Sequence, residues 1–374
     1  MIKKFYDLGI ENSKYKKKLI KDLDKIISSG FYIIGKFVEK FEKKFSFFNK
    51  SKYSIGVGNG FDAIKISLLT LKIMKYCKDG DEVIVPANTY IATILPVNHC
   101  NLKPILIEPE KDGFNIDPEK IKKRITKKTK IIIVTHLYGH MCQMDKIMKI
   151  AKKYNLKVIE DCSQSHGAML NNVKCGNFGD FGCFSLFPAK NLGALSDAGI
   201  ITTNNKKFHD IVKSIRNYGE NFFLNYEKRK YINQYKGLNS RMSEINGSIL
   251  IHKLADLKKE NNNKIKKALF YLKNITNKKI ILPKIKDNSY PVWHQFIIMT
   301  KKRDKLKKIL LKEKYDTKIL YPVPPHKQKA YNEHKKLRLP LTEKVHSQNL
   351  SLPLSNHFTE KDLKKICQII NNFI

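Results

Sequence analysis

The side chains most able to do chemistry sit in two segments. One is Val158-Ile159-Glu160-Asp161-Cys162-Ser163-Gln164, an apolar run that ends in acids. The other is Phe184-Ser185-Leu186-Phe187-Pro188-Ala189-Lys190-Asn191-Leu192-Gly193, which holds a lone lysine between apolar residues and glycine. Apolar neighbours desolvate an ammonium group and favour the neutral amine, which Schiff-base chemistry needs. An aspartate at the carboxyl end of a buried strand lies where open α/β sheets bind ligands. A lysine for the Schiff base and a carboxylate that keeps a pyridine nitrogen protonated are what a pyridoxal phosphate enzyme requires. Taken singly, Asp161 also reads as a turn or cap residue, and Lys190 as one exposed lysine among many.

Three further patterns bear on a site. Gly58-Asn59-Gly60-Phe61-Asp62 falls between a strand-like and a helical segment. Glycines there let backbone N–H groups approach an anion, and a helix N-terminus adds a favourable dipole. The pattern fits a phosphate cradle and also an ordinary tight turn. Tyr90, after Pro86-Ala87-Asn88-Thr89, fits stacking on a flat ring or a place in the core. His136 and His140 are spaced i, i+4, but their segment ends at a glycine turn and no glutamate follows the first histidine, so no metal site is expected. The P-loop, the dinucleotide fingerprint and the Gly-x-Ser-x-Gly of hydrolases are missing.

These groups need elements to hold them. The region 12–50 reads as two helices around a turn at Ser29-Gly30-Phe31, with Val38, Phe41 and Phe45 at helical spacing. A strand Tyr53–Val57 and a helix from Asp62 to Lys75 follow. Short apolar strands recur at Val83–Val85, Pro104–Ile107, Ile131–His136, Lys157–Ile159, Gly182–Phe187 and Gly199–Thr202. A helical pattern such as Met144–Tyr154 lies between several of them. This alternation predicts an α/β protein with a large, mostly parallel sheet covered on both faces. After residue 250 the alternation stops. Helices Ile251–Leu272, Asp304–Glu313 and Glu360–Phe373 frame a strand Trp293–Met299, which predicts a smaller α+β domain at 251–374 beside a large one at 1–250.

The chain has 374 residues, enough for two such lobes, and a hydrophobic content of 42%. No apolar run reaches the roughly 20 residues of a spanning helix. No signal-peptide core follows the basic start, so a soluble cytoplasmic protein is expected. The seven cysteines are scattered without a Cys-x-x-Cys pair, as suits a reducing compartment. The formal charge of +38 invites a nucleic-acid reading. Against it, the lysines are spread through the chain and arginine, the best reader of base edges, is scarce. A solvated lysine surface is the simpler reading, and its positive field favours an anionic substrate.

In their order along the chain, these segments resemble the DegT/DnrJ/EryC1/StrS family of sugar-nucleotide aminotransferases, which have the aspartate aminotransferase fold. The likeness runs through Ser29-Gly30-Phe31-Tyr32-Ile33-Ile34-Gly35, Gly58 to Ala63, Pro86 to Thr93, Glu160 to Ala168 and the Lys190 segment. It continues in Gly237-Leu238-Asn239-Ser240-Arg241-Met242 and Tyr321-Pro322-Val323-Pro324-Pro325-His326. The resemblance implies a pyridoxal 5'-phosphate cofactor. Lys190 would form the Schiff base and move the proton, and Asp161 would pair with the pyridinium nitrogen. Gln164 would pack near the phenolic oxygen, and Tyr90 would stack on the ring. Ser185, Gly60 and Phe61 would hold the phosphate, the last two through backbone N–H. Asn239 would reach in from the partner of a homodimer, and Tyr321 and His326 would lie toward the sugar nucleotide. Phe61 stands where the family commonly has threonine, and Ser196 replaces a commoner glycine. A family branch with histidine in place of the lysine performs dehydration, and Lys190 separates this chain from it.

The resemblance further implies transamination between L-glutamate and a ketosugar nucleotide. The Lys190 segment and Pro322-Val323-Pro324-Pro325-His326 look most like members that aminate C3 of dTDP-3-keto-6-deoxyhexoses, in the glucose or galactose series. The product would feed a surface glycan or an antibiotic sugar. A 4-aminotransferase acting on a GDP- or UDP-4-keto-6-deoxy sugar is the alternative within the family. A basic nucleic-acid-binding regulatory protein on the same fold is the alternative outside it, disfavoured by the intact set Asp161, Gln164, Ser185 and Lys190.

Overall fold

A computed structural model describes residues 2–222, 224, 225, 228 and 231–374. Its largest sheet contains β1 (Tyr53–Val57), β2 (Glu82–Pro86), β3 (Lys103–Ile107), β4 (Thr129–Thr135), β5 (Lys157–Asp161), β6 (Phe181–Ser185) and β7 (Gly199–Thr203). The order is β1-β7-β6-β5-β4-β2-β3. Only β7 runs antiparallel to its neighbours, pairing Val57 with Gly199 and Ser185 with Gly199. The other pairings are parallel, and Thr135 lies level with Asp161 at the strand ends.

Successive strand residues point to opposite faces, so a strand buried on both must be apolar throughout. That is the pattern here. Ile132, Val134 and Val158 join one buried cluster, and Ile131, Ile133 and Ile159 join the other. The first face is covered by α2 (Lys36–Asn49) through Val38, Phe41 and Phe45, by α4 (Met144–Lys153), and by the first half of α6 (Glu244–Asn274). The second is covered by α3 (Gly60–Ile73) and α5 (Lys206–Ile215). Helix α1 (Lys16–Ser29) ends at Gly30, whose φ of 67° makes the expected turn.

A third cluster forms beyond the sheet. It joins Ala268 and Tyr271 of α6, Leu306 and Leu310 of α7 (Arg303–Lys312), and Leu363, Ile366 and Ile370 of α9 (Glu360–Asn371). These pack on an antiparallel pair, β8 (Phe296–Met299) with β9 (Asn349–Leu352). The expected boundary at residue 250 falls inside the continuous helix α6. The N-terminal residues also cross over, since Lys3 N–H donates to Lys314 O at 2.8 Å. The strand expected from Trp293 begins only at Phe296, because Trp293 has a φ of 47°. Helix α5, helix α8 (Pro340–Gln348) and strand β9 have no counterpart in the sequence reading.

Helix α2 shows how distant residues close an element. Glu244, buried at the start of α6, accepts Gly35 N–H at 2.9 Å, Phe37 N–H at 2.8 Å and Val38 N–H at 2.9 Å. One carboxylate thus satisfies the donors that a helix start leaves free. Replacing it, Glu244→Ala, strands those donors and is expected to cost about 2–4 kcal/mol. Thermal unfolding should show a midpoint lowered by several degrees.

Candidate active site

The expected cofactor residues converge at the carboxyl ends of the parallel strands. Gly60, Phe61, Tyr90, Asp161, Gln164, Ser185, Lys190 and Tyr321 all line one cavity of about 480 Å³. Asp161 ends β5, Ser185 ends β6, Gly60 opens α3 directly after β1, and Tyr90 follows β2. Other cavities, of about 530 and 880 Å³, are larger, but neither contains Lys190 or Asp161. Chemistry rather than size selects the site.

The lysine turn is held from both sides. A Cβ on Gly193 would lie 2.2 Å from Pro188 O, so only glycine lets the turn close this tightly. Asn191 donates to Asn261 Oδ1 at 2.9 Å and to Val292 O at 3.2 Å, which fastens the turn to α6 and the second lobe. Burial pushes the Lys190 ammonium below its ordinary pKa, and the nearby Asp161 carboxylate opposes that shift. Burial thus shifts the amine toward its neutral form, beside a carboxylate that holds part of the charge in place.

Glu160 and Asp161 are adjacent and serve opposite faces of β5. Glu160 is fully buried and accepts Gly176 N–H at 2.9 Å and both Phe178 and Gly179 N–H at 2.8 Å. His136 Nε2 lies 2.9 Å from it, while His136 Nδ1 accepts Cys142 N–H at 3.1 Å. His136, Glu160 and Cys162 approach one another closely enough for a metal, but the histidine and glutamate atoms are already committed to these bonds. His140 instead packs edge-on against Trp293, 4.4 Å between ring centres. Asp161 faces the cavity, where Thr93 Oγ1 donates to it at 2.7 Å and Ser163 N–H at 3.1 Å.

Gln164 bridges the lobes. Its Oε1 accepts Tyr138 N–H at 2.7 Å, and its Nε2 donates to Tyr321 Oη at 3.0 Å. Burial raises the Tyr321 phenol above its ordinary pKa, so it stays protonated. The Tyr90 and Tyr321 rings lie 5.1 Å apart, tilted by 32°. At the other end of the cavity, a Cβ on Gly60 would sit 2.5 Å from Ser185 Cβ. That closeness brings the start of α3 onto the end of β6. Asn59 Oδ1 takes Asp62 N–H at 2.8 Å, which leaves the Gly60 and Phe61 N–H groups as the turn's donors toward an anion. The arrangement fits pyridoxal phosphate: a desolvated lysine, a carboxylate for the ring nitrogen, an aromatic face and a backbone cradle for phosphate.

Two expected residues do not line this chain's own cavity, which for Asn239, expected to serve a partner's site, is no departure. His326 does not line the cavity. It is fully buried, with Nε2 3.0 Å from Glu343 Oε1, so it braces the 321–326 segment from behind. Asn239 is exposed outside the cavity, bridged to Asn217. Thr89, Thr93 and Thr135 line the cavity without having been assigned a role from sequence. Two of them stand in the Pro86–Thr93 segment, where hydroxyl spacing was the available signal.

Residues 13–371 match the DegT/DnrJ/EryC1/StrS aminotransferase family. The chain belongs to that family. It is 43% identical, over 99% of both chains, to a dTDP-3-amino-3,6-dideoxy-alpha-D-galactopyranose transaminase of Aneurinibacillus thermoaerophilus. It is 34% identical to a Geobacillus stearothermophilus protein called a pleiotropic regulatory protein, over 98% of this chain and 97% of that one. Its structure overlays that of S. venezuelae DesV in complex with a ketimine intermediate, with a TM-score of 0.93 and 32% identity, covering 99% and 98% of the two chains.

The aminotransferase also buries His166 beside the lysine. Burial, then the Lys190 charge, pushes this ring down to about 3. An unfolded histidine takes a proton near pH 6.5, so between pH 6.5 and 3 the unfolded chain binds more protons and folded stability falls as pH falls. From pH 6.5 to 5 this one group costs roughly 2 kcal/mol. The His166→Leu variant should lose correspondingly less stability between pH 7 and 5, measured by denaturant unfolding at both.

Proposed function

We propose that this aminotransferase moves the amino group of L-glutamate to C3 of a dTDP-3-keto-6-deoxyhexose, giving a dTDP-3-amino-3,6-dideoxyhexose. The observation that carries this reading is the 43% identity, across 99% of both chains, to a transaminase named for the 3-amino-3,6-dideoxygalactose product. That relative puts the galactose series first, with the glucose series next. A 4-aminotransferase on a GDP- or UDP-linked sugar ranks behind both.

When bound, pyridoxal phosphate supplies the electron sink that lets a carbon–hydrogen bond next to nitrogen break as a proton transfer. The chain does the rest. Lys190 Nζ, its pKa lowered by burial, would take the proton from one carbon and return it to another. Asp161 would pair with the ring nitrogen and keep it protonated. Tyr90 would cover one face of the ring. The start of α3, with Ser185, would hold the phosphate. Tyr321 accepts from Gln164, so its own O–H points away from that amide and is free to donate to a bound oxygen. The second lobe closes over the site through the Gln164–Tyr321 contact and helps exclude water.

We further propose a homodimer in the cytoplasm. Phe31, Tyr32 and Ile33 are exposed on the α1–α2 turn, and exposed apolar groups of this kind mark an interface. Asn239 would then serve the partner's phosphate site, and sedimentation should give twice the 43.5 kDa chain mass. Among the described residues no helix is long and apolar enough to cross a membrane. The seven cysteines are free and buried, in keeping with a reducing compartment. The regulatory reading finds a namesake in the Geobacillus protein. Against it, a DNA-binding protein has no need of a desolvated lysine facing a carboxylate.

The test supplies dTDP-3-keto-6-deoxygalactose, its glucose epimer, or a GDP- or UDP-4-keto-6-deoxy sugar, each with L-glutamate, to the purified protein, and follows products by mass spectrometry. The expected result is a dTDP-3-amino-3,6-dideoxyhexose from the galactose-series substrate first. Lys190→Ala should lower kcat roughly a thousandfold or more. Turnover of 4-keto substrates alone would overturn the C3 assignment.

A further inference from the structure

Asp161 does not stand alone at its strand end. Behind it lie three threonines, all at most 3% exposed. Thr93 Oγ1 is 2.7 Å from Asp161 Oδ2, Thr89 Oγ1 is 2.8 Å from Thr93 Oγ1, and Thr135 Oγ1 is 3.2 Å from Thr89 Oγ1 and 3.4 Å from Thr93 Oγ1. They come from two places in the fold. Thr89 and Thr93 sit on the turn after β2, and Thr135 ends β4 level with Asp161.

Proton counting fixes the direction of this chain. A carboxylate only accepts, and each hydroxyl has one proton to give. Thr93 must therefore donate to Asp161. The short contact to Thr89 then requires Thr89 to donate to Thr93. With both of those protons assigned, Thr135 is the donor in either remaining contact. All three O–H dipoles thus point their positive ends toward Asp161, and such buried bonds polarise one another. Ser163 N–H takes the other carboxylate oxygen at 3.1 Å. With one donor on each oxygen, the carboxylate cannot turn about its bond to Cβ without losing a hydrogen bond. Each oxygen still keeps an acceptor position for the cavity.

We propose that Thr93 is a positioning residue for transamination, backed by Thr89 and Thr135, which locks the plane of the Asp161 carboxylate so that it meets the cofactor's ring nitrogen. This rests on the aminotransferase reading above. It gives a task to Thr93 that does not require contact with substrate, and it accounts for three buried hydroxyls converging on one carboxylate.

The test is a pyridoxal 5'-phosphate titration of apoprotein from wild type, Thr93→Val, Thr93→Ser and Thr89→Val, read by visible absorption. Valine keeps the shape and removes the donor. The expected result for Thr93→Val is a Kd raised roughly 10- to 100-fold, as for a hydrogen bond to a charged group, with the visible bands of the bound cofactor redistributed. Thr93→Ser should restore both readouts, which a loss of methyl packing alone would not produce. Thr89→Val should shift both in the same direction by a smaller amount, and it serves if Thr93→Val fails to fold. A folded Thr93→Val with the wild-type Kd and spectrum would overturn the proposal. So would a Thr89→Val protein indistinguishable from wild type where Thr93→Val does not fold. Failure of wild type itself to bind the cofactor would instead overturn the aminotransferase reading.

Discussion

Glu160 and Asp161 occupy consecutive positions at the end of β5, and the two-residue period of a strand sends them to opposite faces. Glu160 turns into the protein and takes three backbone N–H groups and His136. That bond set pins the loop leading to β6, the strand that carries Ser185. Asp161 turns toward the cavity and supplies its fixed negative charge beside Lys190. A slip of one residue would exchange the two roles, burying the wrong acid and leaving the lysine without its counter-charge. The apolar alternation of Val158 and Ile159 into the two core clusters holds that register.

From that register the rest of the site follows by short links. Strand order places the ends of β4 and β6 on either side of β5, so Thr135 and Ser185 flank Asp161. Strand β1 joins the far side through β7, and its following turn delivers the helix start to Ser185. Two contacts then couple the lobes at the site. Asn191 ties the lysine turn to α6 and Val292, and Gln164 ties the strand-end loop to Tyr321. The electrostatic outcome is local: in a chain of formal charge +38, burial pushes the Lys190 ammonium below its ordinary pKa beside the Asp161 carboxylate.

Much of this was legible in the residues. Buried parallel strands leave continuous apolar runs, and each of the seven large-sheet strands was expected within two residues of its ends. The chemistry-bearing groups also announced themselves, since an apolar lysine turn and an acid at a strand end are unusual in a lysine-rich chain. What escaped depends on contacts between distant segments. Thr93 looks like any threonine in a loop until Asp161, 68 positions away, is placed against it. His326 carries the same side chain whether it faces a ligand or Glu343, and packing sends it inward. Helix α8 starts at a proline and runs straight into β9, so its periodicity is too short to read. The lobe boundary blurred for a different reason: α6 belongs to both cores.

The central claim is that Lys190 and Asp161 operate as one unit on a pyridoxal cofactor. The visible absorption spectrum of the holoprotein tests it most directly, recorded before and after L-glutamate is added and beside a Lys190→Ala variant. The account predicts a yellow band that bleaches with glutamate and is absent in that form from the variant. A protein that stays colourless with added pyridoxal phosphate, or a variant whose band matches wild type, would contradict it.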